Sequence, residues 1–313
     1  MLNIIEMLES NLNKDAPLKS IDSKKSESIY LYPSEAMSYS LVDEGKPIGS
    51  CIRQVWFNKK KAPISNPKSS YNNFIFVAGH MWEDWLVNQY KDLNIFLDRS
   101  VKLVDNDLSI SCEIDILHTN PITGLTEVTE CKQYNGSNFY AAKDLLGSKN
   151  SLPKPKDQNL LQCVKYLLVL KKYNINTVNL IYLDRSCSNF YNNKQFTIYL
   201  QGDKIYYDTY FANELMTIEV TEFTTTSLLE KDAALLKLLE LNYAPDPDYF
   251  ISYNEKTLEL DYKWGNITKT SYEKIKKGQS NIEDNGSWIC RYCPYGKNSQ
   301  TGISTCVEFI QDE

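Results

Sequence analysis

The chain has 313 residues, 42% of them hydrophobic, which is enough for one large domain or two small ones. Its formal net charge of −6 argues against a histone-like or coating role on nucleic acid. It leaves room for a metal-dependent enzyme, whose site gathers carboxylates and lets the ion supply the positive charge.

No uninterrupted apolar run of about 18 residues occurs, so neither a transmembrane helix nor a membrane partner is expected. Met1-Leu-Asn-Ile-Ile-Glu6 lacks the basic start and cleavage site of a signal peptide, so the expected location is the cytoplasm. The Asn, Lys, Ile and Tyr content suggests an AT-rich bacterial or phage genome.

Residues 1–45 are polar and rich in Ser and Lys, and are predicted as a partly ordered arm with one short helix. The remainder, 46–310, is predicted as one domain. Residues 48–61 read as a helix with Ile52, Val55 and Trp56 on one face. A Pro/Ser/Asn-rich loop over 62–73 precedes an amphipathic helix from about Asn73 to Tyr90. Three strands follow at 94–104, 108–118 and 125–132, parted by Asp105-Asn-Asp107 and by Asn120-Pro-Ile-Thr-Gly124. A short helix over 138–147 and a loop over 148–156 lead to Asp157, a candidate cap for a helix over 158–173. A strand is expected at 177–184, then a hairpin, 195–200 and 204–209, around Gly202-Asp203. A helix over 227–242 runs into Pro245-Asp-Pro247, and the tail from 263 is Lys-, Gly- and Asn-rich. This order implies an α/β fold with a mixed central sheet flanked by helices. The lysine runs at Lys59–Lys61 with Lys68, at Lys149 with Lys154 and Lys156, and at Lys274 with Lys276 and Lys277 read as solvated faces.

Ser111-Cys-Glu-Ile-Asp115 lies on one expected strand, and Thr129-Glu130-Cys131-Lys132 on the next. A hairpin would bring them together, and period-two alternation puts Glu130 and Lys132 on one face. Burying such charges costs several kcal/mol unless something compensates, and a divalent ion between two carboxylates does so. Phosphodiester hydrolysis asks for the same set: hard oxygen ligands for Mg²⁺ or Mn²⁺, and a lysine to position the attacking water. A buried salt-bridge network is the plainer alternative.

Asp115 with Glu130-x-Lys132 resembles the signature of PD-(D/E)XK nucleases. Gly79-His-Met-Trp-Glu83, on the preceding helix, resembles the first motif of their RecB-like branch. Gln162-Cys-Val-Lys-Tyr166, with both polar side chains at i and i+4, resembles that branch's Gln-x-x-x-Tyr motif. The resemblance implies a restriction-endonuclease-like core. It also implies a Mg²⁺ or Mn²⁺ site of Glu83, Asp115, Glu130 and the Cys131 carbonyl, with His80 competing with Glu83 for its place. Lys132, Gln162 and Tyr166 would complete the catalytic set. The family often has Gly three residues before the motif Asp, where this chain has Cys112.

Of the eight cysteines, Cys112, Cys131, Cys163 and Cys187 sit in apolar stretches and read as small core residues. Cys290-Arg-Tyr-Cys293 has chelating spacing, with Cys306 after it and Cys51 as the candidate fourth ligand. One cysteine before the core and three after it resembles the iron–sulfur members of the same branch, among them CRISPR-associated nucleases. Their spacing between the last two cysteines is shorter than that from Cys293 to Cys306. The resemblance implies a helical cysteine-cluster region, 48–61 with 286–310, joining the N- and C-terminal segments around a [4Fe–4S] cluster, with Zn²⁺ as the alternative. Arg53 and Arg291 beside it read as phosphate contacts or as plain surface charges.

The expected activity is therefore metal-dependent hydrolysis of DNA, from an end of a single strand, in recombination, repair or processing. The expected partners are DNA with free ends, further copies of the chain, or a recombination or helicase subunit. A non-catalytic DNA-end binder that keeps fold and cluster is the first alternative, and a zinc-ribbon interaction protein the second.

Overall fold

The computed structural model describes residues 30–33, 47, 49–66, 70–148, 150–187, 189–282, 285–297 and 301–308. In chain order the elements are α1 (Ile52–Lys60), α2 (Ser70–Asp92), β1 (Phe96–Asp105), β2 (Ile110–Thr119), β3 (Thr126–Tyr134), α3 (Phe139–Leu146), α4 (Asp157–Leu170), β4 (Thr177–Asp184), β5 (Lys194–Gln201), β6 (Lys204–Phe211), β7 (Glu214–Val220), α5 (Thr225–Leu239), α6 (Glu255–Lys263), α7 (Lys269–Lys276), α8 (Trp288–Arg291) and α9 (Thr305–Glu308). Packing divides the chain into two compact units, residues 1–36 with 74–230 and residues 37–73 with 231–313. The sequence alone drew one body over 46–310. Most of its expected arm, along with Lys68 and Lys149, lies outside the described residues.

The first unit is built on a seven-stranded mixed sheet whose order follows the chain, β1 to β7. Only β3 and β4 run parallel, and the chain between them carries α3 and α4, the helical crossover that a parallel pair requires. Val178, Leu180, Ile181, Tyr182 and Leu183 of β4 are all buried, as a central strand covered on both faces demands. Leu86, Val87 and Tyr90 of α2 pack with Ile116 and Ile181 on one face. Gln162 of α4 reaches Glu130 on the other. Leu31, within the expected arm, is fully buried and bridges Ile110 in parallel.

Three readings need correction in this unit. Asp157 is the first residue of α4 and not its cap; Lys156 occupies the cap position without a side-chain bond, and Asp157 instead pairs with Lys154 at 3.0 Å. Strand β7 was missed because its turn, Ala212-Asn213 with φ of 50° and 66°, lacks the glycine that usually marks such a hairpin. Cys187 is exposed, in the turn after β4, and does not join the core.

In the second unit Trp56 and Phe57 of α1 pack with Tyr295 and Cys306. A further cluster of Tyr253, Leu258 and Ile275 joins α6 and α7; from the sequence no element is expected over 255–262, and the chain from 263 reads as a tail. These helices carry few apolar residues, so their periodicity is faint. Their caps are the legible signal: Asn254 accepts from the Thr257 N–H, and Thr268 from the Ser271 N–H.

Candidate functional site

The ladder between β2 and β3 ends at Ile116↔Thr129, so Asp115 and Glu130 stand where the two strands part. Beyond that point β3 continues on β4, with Glu130 beside Leu180 and Lys132 beside Tyr182. The Cys131 N–H, no longer facing a β2 partner, donates to Asp115 Oδ2 at 2.8 Å. Glu130 is 1% exposed. Its Oε1 accepts from Gln162 Nε2 at 2.8 Å and from Lys132 Nζ. Its Oε2 is buried with no hydrogen-bond partner. Gln162 Nε2 also lies 2.7 Å from the Tyr166 hydroxyl, which donates to the Glu113 carbonyl at 3.0 Å. Asp115, Glu130, Lys132, Gln162 and Tyr166 thus meet in one place, held by two strands and one helix.

Burial, and then the neighbouring Glu130, holds the Asp115 carboxyl well above the usual carboxylate range, with Glu83 adding to the effect and Lys132 opposing it. Burial lowers the proton affinity of Lys132, but Glu130 and Asp115 more than offset this and hold it firmly charged. The Tyr166 hydroxyl is pushed up by burial and by Glu130, so it stays protonated and donates.

Glu83 stands differently. Its Oε1 pairs with Arg99 at 3.0 Å, and Asp84 takes the other arm of the guanidinium at 2.6 Å. Burial raises the Glu83 pKa even so. His80 points outward, its side chain 77% exposed and 3.7 Å from Glu83. Arg99 was invisible to sequence reasoning because it belongs to no motif; pairing with Ile116 across the sheet brings it here. Gly79 has a reason of its own: a Cβ there would stand 3.1 Å from the Gln133 amide of β3, so glycine lets α2 approach the sheet.

Comparison of the chain with protein-family models, curated proteins and solved structures finds no match. The chemistry of the donors is thus what bears on a metal. Two carboxylates are hard oxygen donors, and the unpartnered Glu130 oxygen is a lone pair that a cation would satisfy. These residues fit a divalent ion that keeps several waters. Among the described residues no three His, Cys, Asp or Glu side chains are gathered as one ion's shell. Glu83 is accordingly held by Arg99 and not drawn in beside Asp115 and Glu130.

In the second unit Cys51, Cys290, Cys293 and Cys306 line one cavity of about 770 Å³. Their walls are tied together across the length of that unit. Ile52 N–H donates to Asp248 at 2.6 Å, Thr305 N–H to Ser65 at 3.0 Å, and Asn66 N–H to the Pro294 carbonyl at 2.8 Å. A Cβ at Gly296 would lie 2.3 Å from the Cys290 carbonyl, so the Cys290–Gly296 turn closes only around glycine. All four thiols are free, and burial pushes Cys51 up to about 12 and Cys306 up to about 11. Arg53 is not a surface charge: it is 2% exposed, donates to the Pro245 carbonyl at 3.2 Å, and opposes the rise at Cys306. Arg291 is exposed. The four cysteines share one cavity beside a buried cation, but among the described residues no three of them are gathered as one ion's shell. Among the described residues no helix is long and apolar enough to cross a membrane.

Proposed function

We propose that the chain is a metal-dependent DNA nuclease of the PD-(D/E)XK kind, acting on single-stranded DNA from an end. The observation that carries this reading is the buried, unpartnered oxygen of Glu130 beside Asp115, at the parting of two strands, with Lys132 alongside. Asp115, Glu130 and the Cys131 carbonyl would hold Mg²⁺ or Mn²⁺, which would polarise a phosphate and acidify a water. Lys132, kept charged by its two carboxylates, would orient the attacking water and meet the charge that develops on the phosphate. Gln162 fixes the Glu130 rotamer, and Tyr166 fixes Gln162 in turn. Glu83 would join the ion only after leaving Arg99.

The four cysteines would hold an iron–sulfur cluster with a structural role. A cubane gives each sulfur its own iron, so it suits four thiols spread round a cavity. One zinc ion needs four sulfurs within ~2.3 Å of a single point. Iron analysis and a visible absorption shoulder on purified protein would test this.

The decisive experiment is degradation of end-labelled single-stranded DNA with Mn²⁺, Mg²⁺ or chelator, by the natural chain and by Lys132→Ala. Metal-dependent loss of label, abolished by the substitution, is the expected result. Activity unchanged in Lys132→Ala would sink the reading. The ion pair that occupies Glu83 favours one second reading, a non-catalytic DNA-end binder. Binding without degradation in Mn²⁺ would select it.

A further inference from the structure

Next to the cysteine cavity, with which it shares Asn285, Gly286 and Arg291, the second unit has a pocket of about 330 Å³ that holds no cysteine and none of the proposed Mg²⁺ or Mn²⁺ ligands. Its wall includes Trp288, Arg291, Lys274, Asn266, Asn285 and Tyr253, and no carboxylate is among the described residues that line it. Lys276 and Lys277 next in sequence pair with Glu259 and Glu273, whereas Lys274 forms no ion pair among the described residues. Arg291 donates to Asn285 Oδ1 at 3.0 Å, which orients the guanidinium at the rim.

The aromatic side chains here are placed against the ordinary rule. Trp288 is 57% exposed and Tyr292 72%, their rings 6.3 Å apart and edge to face. Large aromatic faces left in water beside fixed cations mark a surface that meets a partner. Two cations fit an anion, and an indole face fits a planar ring; the Asn266 and Asn285 amides already bond within the protein. A nucleotide carries both an anion and a planar ring.

We propose that this pocket is a subsite for one nucleotide of a single strand, with its base on Trp288 and the flanking phosphates on Lys274 and Arg291. The inference rests on the reading of the chain as a DNA-binding protein, and it names where the strand is gripped outside the reaction centre. Stacking tolerates any base, so the subsite grips without selecting sequence. Paired bases do not offer their faces, so a duplex is held less well.

The test is binding of a short labelled oligothymidylate to the full chain in chelator, over a salt series. Trp288→Ala should weaken binding roughly tenfold or more, with Trp288→Phe recovering most of it. Lys274→Ala with Arg291→Ala should reduce the slope of log K against log salt by about 1.4, at roughly 0.7 per phosphate contact. Circular dichroism melts confirm that each variant folds. Affinity and slope unchanged in both folded variants would overturn the subsite, as would duplex binding as tight as single-strand binding. Hydrolysis is absent in chelator, so the two proposals fail separately. A chain that binds through Trp288 but degrades nothing in Mn²⁺ refutes the nuclease and keeps the subsite. One that degrades DNA while Trp288→Ala binds normally does the reverse.

Discussion

The two oxygens of Glu130 meet different fates, one shared between Gln162 and Lys132 and the other buried alone. A buried carboxylate with one oxygen unpartnered beside Asp115 costs stability that a cation would restore. Because the folded state holds the Asp115 proton more tightly than the unfolded chain, the contribution of Asp115 to metal-free stability falls as pH rises. The fall begins near the ordinary carboxylate value of about 4 and is complete above the raised one. Asp115→Asn removes that penalty. Thermal melts in chelator should therefore show the variant more stable than the natural chain at neutral pH, by a few degrees, with the gap closing in acid. A variant that melts lower at neutral pH would show that the carboxylates are structural. For chemistry, Lys132→Ala should lower kcat on single-stranded DNA by roughly 10²–10³-fold; it also strips buried Glu130 of its cationic partner, so the melting temperature should fall and rates are compared well below both melts.

At the scale of elements, the end of β4 secures the turn that follows β3. Asp184 accepts from the Gly136 N–H at 2.7 Å, the Ser186 N–H at 2.9 Å, the Ser186 hydroxyl at 2.6 Å and Asn192 at 3.0 Å. Burial opposes ionisation, but these donors outweigh it and hold the carboxyl down at about 2. Its stabilisation is present above the ordinary value near 4 and is lost as pH falls toward 2. Asp184→Ala should cost about 1–3 kcal/mol at neutral pH and less in acid, read from denaturant midpoints at the two pH values. Elements with strong periodicity or strong turns were legible: α4, β4 and the β5–β6 hairpin fall within a few residues of their expected bounds. Those without were not. The Ala212-Asn213 turn hides β7, and the sparse apolar faces of α6 and α7 leave only their caps to be read.

Over the whole molecule, the two proposed metal groups fall in different units and should respond to different reagents. A divalent chelator should abolish degradation of DNA and spare the iron content. Cys51→Ser or Cys290→Ser should lower iron per chain and destabilise the second unit, seen as faster limited proteolysis between residues 245 and 308, while Asp115→Asn leaves that rate unchanged. Equal proteolysis of cysteine variant and natural chain would remove the structural role of the cluster.

What could be known from residue order alone was local chemistry: Asp115 and Glu130-x-Lys132 on successive strands, Gln162 and Tyr166 one helical turn apart, and a Cys-x-x-Cys with two further cysteines at a distance. Spacing of two or four residues determines which side chains share a face, whatever surrounds them. Contacts between distant segments follow no such rule. Packing alone decided that Arg99 claims Glu83, that Arg53 is buried near Cys306 while Trp288 lies exposed, and that one oxygen of Glu130 has no partner. Each depends on how far a sheet ladder runs or how closely a helix approaches it. These are properties of the assembled chain, in which burial rather than sequence distance sets the strength of every charge.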